Sequence, residues 1–171
     1  MKSTFWALLV TVASIGCQRP TSVSARSTGS AAPVEVKAAP SPASTRPEVL
    51  DAPAAGDVVQ LVKAEQLRAQ HDGRRLVIYV SAAWCGPCKV FQKALDAGEL
   101  DAYFPNLRLM KFDSDRDNER LAYGEYDGAY IPRFVVPGPD GYASGKRFEG
   151  GINGEGGIAH IGRQLQALLL D

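Results

Sequence analysis

The chain has 171 residues, and its 19 basic side chains balance 19 acidic ones, so no charge excess marks it as a nucleic-acid binder. At 45% hydrophobic and 22% charged it has the make-up of a globular protein, and its length suits one domain. No aromatic residue lies between Gln18 and Gly56, whereas most of them follow Asp57, so the core is expected within residues 57–171.

The N-terminus opens with Met1-Lys2, followed by an uncharged, mostly apolar run from Phe5 to Gly16 that is too short to span a bilayer as a helix. Residues 1–16 therefore read as an export signal. The run ends in Ala13-Ser14-Ile15-Gly16-Cys17, which resembles the lipobox of bacterial lipoproteins, although Ser14 stands where that family has Leu or Val. The resemblance implies lipidation of Cys17 and anchorage to a membrane. The alternative is ordinary secretion with cleavage after the small-x-small pattern Val23-Ser24-Ala25. Either reading exports the chain. From Gln18 to Gly56, Ala, Ser, Pro and Thr supply 24 of 39 residues, too little apolar surface to offset the entropy of ordering. Residues 17–56 are thus read as a disordered tether.

Ordered patterning begins at Asp57. Val58 to Val62 reads as a short strand and Ala64 to His71 as a helix stopped by Asp72-Gly73. Leu76-Val77-Ile78-Tyr79-Val80 is nearly continuous in apolar residues, as in a strand buried on both faces. A helix is expected from Gly86 to Leu95, continuing to Tyr103, then a strand from Leu107 to Phe112 and a short helix around Asn118 to Gly124. Phe134-Val135-Val136 and Gly145 to Phe148 read as a hairpin joined through Pro137-Gly138-Pro139-Asp140-Gly141. The glycines from Gly150 to Gly157 lack nucleotide-binding spacing and read as a flexible turn. A helix from Glu155 to Leu170 closes the chain, with Ile158, Ile161, Leu165, Leu168 and Leu169 at helical spacing. This β-α-β-α-β-α-β-β-α order implies an α/β domain with a mixed central sheet flanked by helices.

Chemistry concentrates in Trp84-Cys85-Gly86-Pro87-Cys88-Lys89, between a buried strand and a helix. A sulfur at that junction meets the unsatisfied N–H groups of the first helical turn, where the helix dipole favours an anion. Cys85 is therefore the expected nucleophile, with a lowered pKa, and Cys88, one turn further on, the residue that resolves a mixed disulfide. Pro87 fits because the first turn has no use for its missing N–H.

These residues resemble the WCGPC motif of the thioredoxin family, and the element order is similar to its fold over nearly all of residues 57–171. Ile131-Pro132 stands before an apolar strand, where thioredoxins carry an Ile-cis-Pro pair facing the disulfide. The resemblance makes Ile131, Pro132 and the adjoining Arg133 substrate-contact candidates, and Trp84, Gly86 and Pro87 supports of the motif. Tyr126, Lys111 and Gly141 also match thioredoxin positions. Two departures stand out. Tyr79 occupies the place of the family's buried Asp, which assists proton transfer at the inner sulfur, so Tyr79 and Lys111 become candidates for proton transfer or local electrostatics. Arg133 replaces a Thr, either adding positive charge near the thiols, where it would stabilise a thiolate or select acidic clients, or lying on the surface.

Other site chemistries fit less well. A structural zinc site needs four ligands, and here two cysteines are joined only by the separate His71 and His160; copper delivery would need a further nearby ligand. Asp113-Ser114-Asp115-Arg116-Asp117 fails as a calcium loop, because Asn118 replaces the required Gly and Gly124 the required Glu; it reads as a solvated loop and helix cap.

The expectation is thus an exported, periplasm-facing thiol-disulfide oxidoreductase of the bacterial cell envelope, monomeric and needing no cofactor beyond a redox-active Cys85–Cys88 disulfide. Its expected partners are cysteine-containing exported proteins, a membrane thiol-electron donor and the membrane itself through a lipid on Cys17. The Gly-Pro pair favours a reductase. An oxidase or isomerase, and a non-catalytic thioredoxin-like binding module, are the alternatives.

Overall fold

The computed structural model describes residues 46–154 and 156–170. The signal segment 1–16, Cys17 and most of the tether lie outside the described residues, and no described helix is long and apolar enough to cross a membrane. The elements run β1 (Glu48–Asp51), α1 (Val58–His71), β2 (Arg75–Ser81), α2 (Gly86–Ala97), β3 (Leu107–Asp113), α3 (Ser114–Tyr123), β4 (Arg133–Pro137), β5 (Ala143–Glu149) and α4 (Gly157–Leu170). The five strands form one sheet in the order β1-β3-β2-β4-β5. β3 is parallel to both β1 and β2, while β4 is antiparallel to β2 and β5.

β2 shows why the apolar run needed two covers. Leu76, Ile78 and Val80 point into a core shared with Val58, Val62 and Ala69 of α1 and Leu121 of α3. Val77 and Tyr79 point the other way, against Phe91 and Leu95 of α2 and Ile161 and Leu165 of α4. Successive side chains alternate across a strand, so a strand covered by helices on both faces must be apolar throughout.

The expected element order is present, but its first strand lies elsewhere. Val58 to Val62 is the opening of α1. Asp57 caps that helix by accepting a hydrogen bond from Gln60 N at 2.9 Å, and Val58, Val62, Glu65 and Ala69 make its buried face at helical spacing. The spacing of the cap and burial in the core outweigh the β-preference of the three valines. The actual first strand, Glu48–Asp51, falls in the stretch read as tether, so the folded region begins before residue 57. Its register sets Glu48 against Arg108 and Asp51 against Lys111.

Helix boundaries also move. α2 ends at Ala97, short of Tyr103, because Gly98 takes the left-handed conformation at φ 77° and closes the helix. α3 starts at Ser114, with Asp113 capping the N–H groups of Asp115 and Arg116. The β4–β5 turn passes so close to α1 that a Cβ on Gly141, at φ +90°, would lie 2.6 Å from Val59 O. Glycine is required there on both counts.

Candidate active site

β2 delivers the chain to the C-terminal edge of the sheet, where Cys85 takes an extended conformation and becomes the N-cap of α2. Its sulfur accepts a hydrogen bond from Cys88 N at 3.2 Å, and Pro87 sits in the first turn, where no intrahelical acceptor is forgone. Cys85 and Cys88 form a disulfide, with Cα atoms 5.2 Å apart. Both cysteines are 3% exposed and form a small apolar cluster with Ala82 and Ile131. The Ile131-Pro132 peptide bond is cis. The structure thus brings the four residues Cys85, Cys88, Ile131 and Pro132 into one place from segments more than forty residues apart.

Trp84 is 66% exposed beside the disulfide, and its indole N–H donates to Asp115 Oδ2 at 2.8 Å. That bond fixes an apolar ring at the rim of the site. The run from Asp113 to Asp117 is accordingly less solvated than its composition suggests. Asp113 caps α3 and Asp115 holds Trp84, but Asp117 is fully buried and receives Asp113 N, Arg116 and Arg120. Burial alone would raise the Asp117 carboxyl; the hydrogen bonds from Arg116, Asp113 N and Arg120 outweigh it and hold the group below the ordinary carboxylate value.

A further wall of the site comes from a segment read only as a flexible turn. Gly150 N donates to Pro132 O at 2.8 Å, and a Cβ on Gly151 would lie 2.9 Å from Pro87 Cβ and 3.4 Å from Pro132 Cδ. Absence of a side chain lets this backbone lie against both prolines. Two residues later, Asn153 Oδ1 would be 2.5 Å from a Cβ on Gly86. Glu149, at the end of β5, accepts Ala129 N at 3.0 Å and Tyr130 N at 3.2 Å through one carboxylate oxygen, holding the loop that leads into Ile131-Pro132. The glycine density was a visible signal of close backbone approach; the roles of Glu149 and Asn153 had none.

Arg133 does not lie on the surface. It is buried, donates to Tyr126 O at 3.0 Å, and sets its Nε 3.6 Å from Glu149 Oε1. Burial pulls the guanidinium below its ordinary value, and Glu149 opposes that shift. Arg133 is thereby tied to the carboxylate that holds the loop of Ile131-Pro132, with little of its side chain exposed. Tyr126 is buried as well, its hydroxyl donating to Gly141 O at 2.7 Å.

Tyr79 lies in an aromatic stack, 5.0 Å from Phe134 and 5.4 Å edge-on from Phe91. Burial pushes its phenol up to about 12, partly offset by Ser81, so it is neutral at ordinary pH and suited to donate a proton bond, not to accept a proton. Lys111 is its neighbour across the β2–β3 register, and pairs with Asp51 of β1 at 2.8 Å. A cavity of about 240 Å³ behind the inner cysteine is lined by Cys88, Tyr79, Ser81, Gln92, Lys111 and Asp113. Its lining carries the polar groups of Tyr79, Ser81, Gln92, Lys111 and Asp113 beside Cys88. Among the described residues, no three His, Cys, Asp or Glu side chains converge to hold a metal ion; His71 sits beside Asp72, and His160 packs on Phe148.

The fold and site together define a thioredoxin-like protein. Residues 58–139 match the family model described as thioredoxin-like. The chain is 36% identical over 69 residues to a thioredoxin H-type of Fagopyrum esculentum, spanning 40% of this chain and 56% of that protein. It is 35% identical over 89 residues to the mitochondrial thioredoxin-3 of Saccharomyces cerevisiae, spanning 52% and 65%. The matches thus cover less than two thirds of the length of these relatives. Thioredoxin O1 from Arabidopsis thaliana in the oxidized state aligns over 70% of this chain and 96% of its own, at 18% identity and a TM-score of 0.45. Over residues 58–139 the chain is thus similar to thioredoxins, and its Cys85–Cys88 disulfide lies within that stretch.

Proposed function

We propose that this protein is a thiol-disulfide oxidoreductase that reduces disulfides of exported proteins in the bacterial cell envelope. The observation that carries the reading is the Cys85–Cys88 disulfide at the N-terminus of α2, beside the cis Ile131-Pro132 pair. In the reduced protein, the Cys85 thiolate attacks one sulfur of a client disulfide. A mixed disulfide forms and the first client sulfur departs as a thiolate, which takes up a proton. Cys88 then gives up its proton and attacks Cys85 Sγ, releasing the second client thiolate and forming the Cys85–Cys88 disulfide. Two electrons have passed to the client. The N–H of Cys88 aimed at Cys85 Sγ favours negative charge on the attacking sulfur.

The Gly86-Pro87 pair supports the reducing direction, since reducing thioredoxins lie near about −270 mV and the strongly oxidising relatives near about −120 mV. In an oxidising compartment the disulfide must be reduced again, so a membrane thiol carrier is proposed as electron donor. The apolar N-terminal run and Cys17 support export and lipid anchorage, with the folded region acting as a monomer above the membrane. Insulin reduction by the full chain, with a redox titration, tests the chemistry: turnover and a potential below about −200 mV are expected, and a potential above about −150 mV overturns the reducing direction. Cys88→Ser should accumulate mixed disulfides through Cys85. Envelope fractions yielding none would overturn the proposed clients.

A further inference from the structure

We infer that Asn153 is a specificity-determining residue, one that selects polypeptide disulfides over small-molecule disulfides by binding the client main chain; the inference rests on the thiol-disulfide exchange proposed above. Asn153 stands against the active-site turn, its Oδ1 in the space a side chain on Gly86 would need. Its carboxamide is exposed and makes no hydrogen bond to any described residue. Two N–H donors and a carbonyl acceptor are therefore presented, unengaged, one residue away from the nucleophilic Cys85.

Cys85 is 3% exposed, so a client sulfur must come close to the surface formed by the turn and its neighbours before exchange begins. The flanking residues of that client then pass close to Gly86, where Asn153 offers a free polar side chain. A peptide group is the complementary ligand: its C=O accepts from Nδ2 and its N–H donates to Oδ1. 2-Hydroxyethyl disulfide carries no peptide group. The carrier segment is free to adjust, since Gly150 and Gly154 sit at φ +84° and +79°, and a Cβ on Gly154 would meet nothing within 4 Å.

The test measures single-turnover kcat/KM for the pre-reduced full chain with insulin and with 2-hydroxyethyl disulfide. Asn153→Ala should slow insulin reduction about five- to tenfold, the loss of one hydrogen bond to the client, and leave the small disulfide within about twofold. An equal fall on both substrates, or no fall on insulin, overturns the assignment. Wild-type protein inert toward both disulfides would overturn the chemistry along with it, whereas an active wild type with an unselective Asn153→Ala overturns Asn153 alone.

Discussion

The two ends of β3 hold their charges in opposite ways. Near its start, Arg108 is buried and gathers Glu48 of β1 at 2.8 Å, Glu65 of α1 at 3.1 Å and Asp72 at 2.8 Å. Near its end, beside the thiols, the cavity behind Cys88 leaves Lys111 partly exposed and its partner Asp51 on the edge strand. The first arrangement fastens an edge strand and a helix to the sheet. The second keeps ionisable groups partly exposed beside Cys88, where the proposed exchange needs a proton to come and go. Stability and chemistry are thus assigned to different ends of one strand.

Breaking the first end should have the largest effect on stability. Arg108→Met leaves the buried Glu65 with only the more exposed Arg68 as cation, and is expected to lower unfolding free energy by about 3 kcal/mol in a denaturant titration. The folded fraction should still reduce insulin at the wild-type rate; a proportionate loss of rate would show that the two ends are coupled. Glu149→Ala acts on the other end. It removes the acceptor for Ala129 N and Tyr130 N and strips Arg133 of its anion, so about 1–3 kcal/mol of stability should go. Here the insulin rate should fall as well, because the loop entering Ile131-Pro132 loses its tie; a normal rate at a temperature where the variant is folded would contradict that positioning role.

Acid should weaken the molecule through Asp117 and Asp72. Hydrogen bonding by His71, then Arg108, holds the Asp72 carboxyl low, while Asp117 is held low by Arg116 and its neighbours against the opposing effect of burial. A carboxyl lowered on folding stabilises above its unfolded value of about 3.9, and this contribution is lost as pH falls through the folded value. Unfolding free energy measured from pH 7 to 2 should therefore decline below about pH 4, and Asp117→Asn should flatten that decline. The smallest effect is expected for Tyr79→Phe. A phenol that stays neutral accepts no proton from Cys88, so the resolving step should change by less than about twofold across neutral pH. A tenfold loss would make Tyr79 part of the proton path.

Legibility followed the distance over which each feature is decided. The β2 run and the periodicity of α4 are local, and both are found as read. The start of α1 was also local, since Asp57 and Gln60 stand at capping distance, but the valines between them point the other way. β1 had almost no local signal: four residues with two apolar side chains, Val49 and Leu50, between Pro47 and Pro53. What makes it a strand is the backbone of β3, some sixty residues later. Arg133 shows the same limit, for nothing in its neighbourhood of sequence points to Tyr126 O or Glu149.

Sequence alone was enough for the redox pair and its orientation. A strand that ends at Ser81, a cysteine at the cap and a second one turn along are constraints that act within a few residues through backbone dihedrals and hydrogen bonds. Tertiary structure alone decided what surrounds the pair: Gly151 laid against Pro87 and Pro132, Asn153 over Gly86, Glu149 holding the loop of Ile131, and β1 supplying Asp51 to Lys111. Those contacts depend on which strand lies beside which and in what register, and that choice is made by burial on both faces of the sheet at once, not by any short stretch of chain.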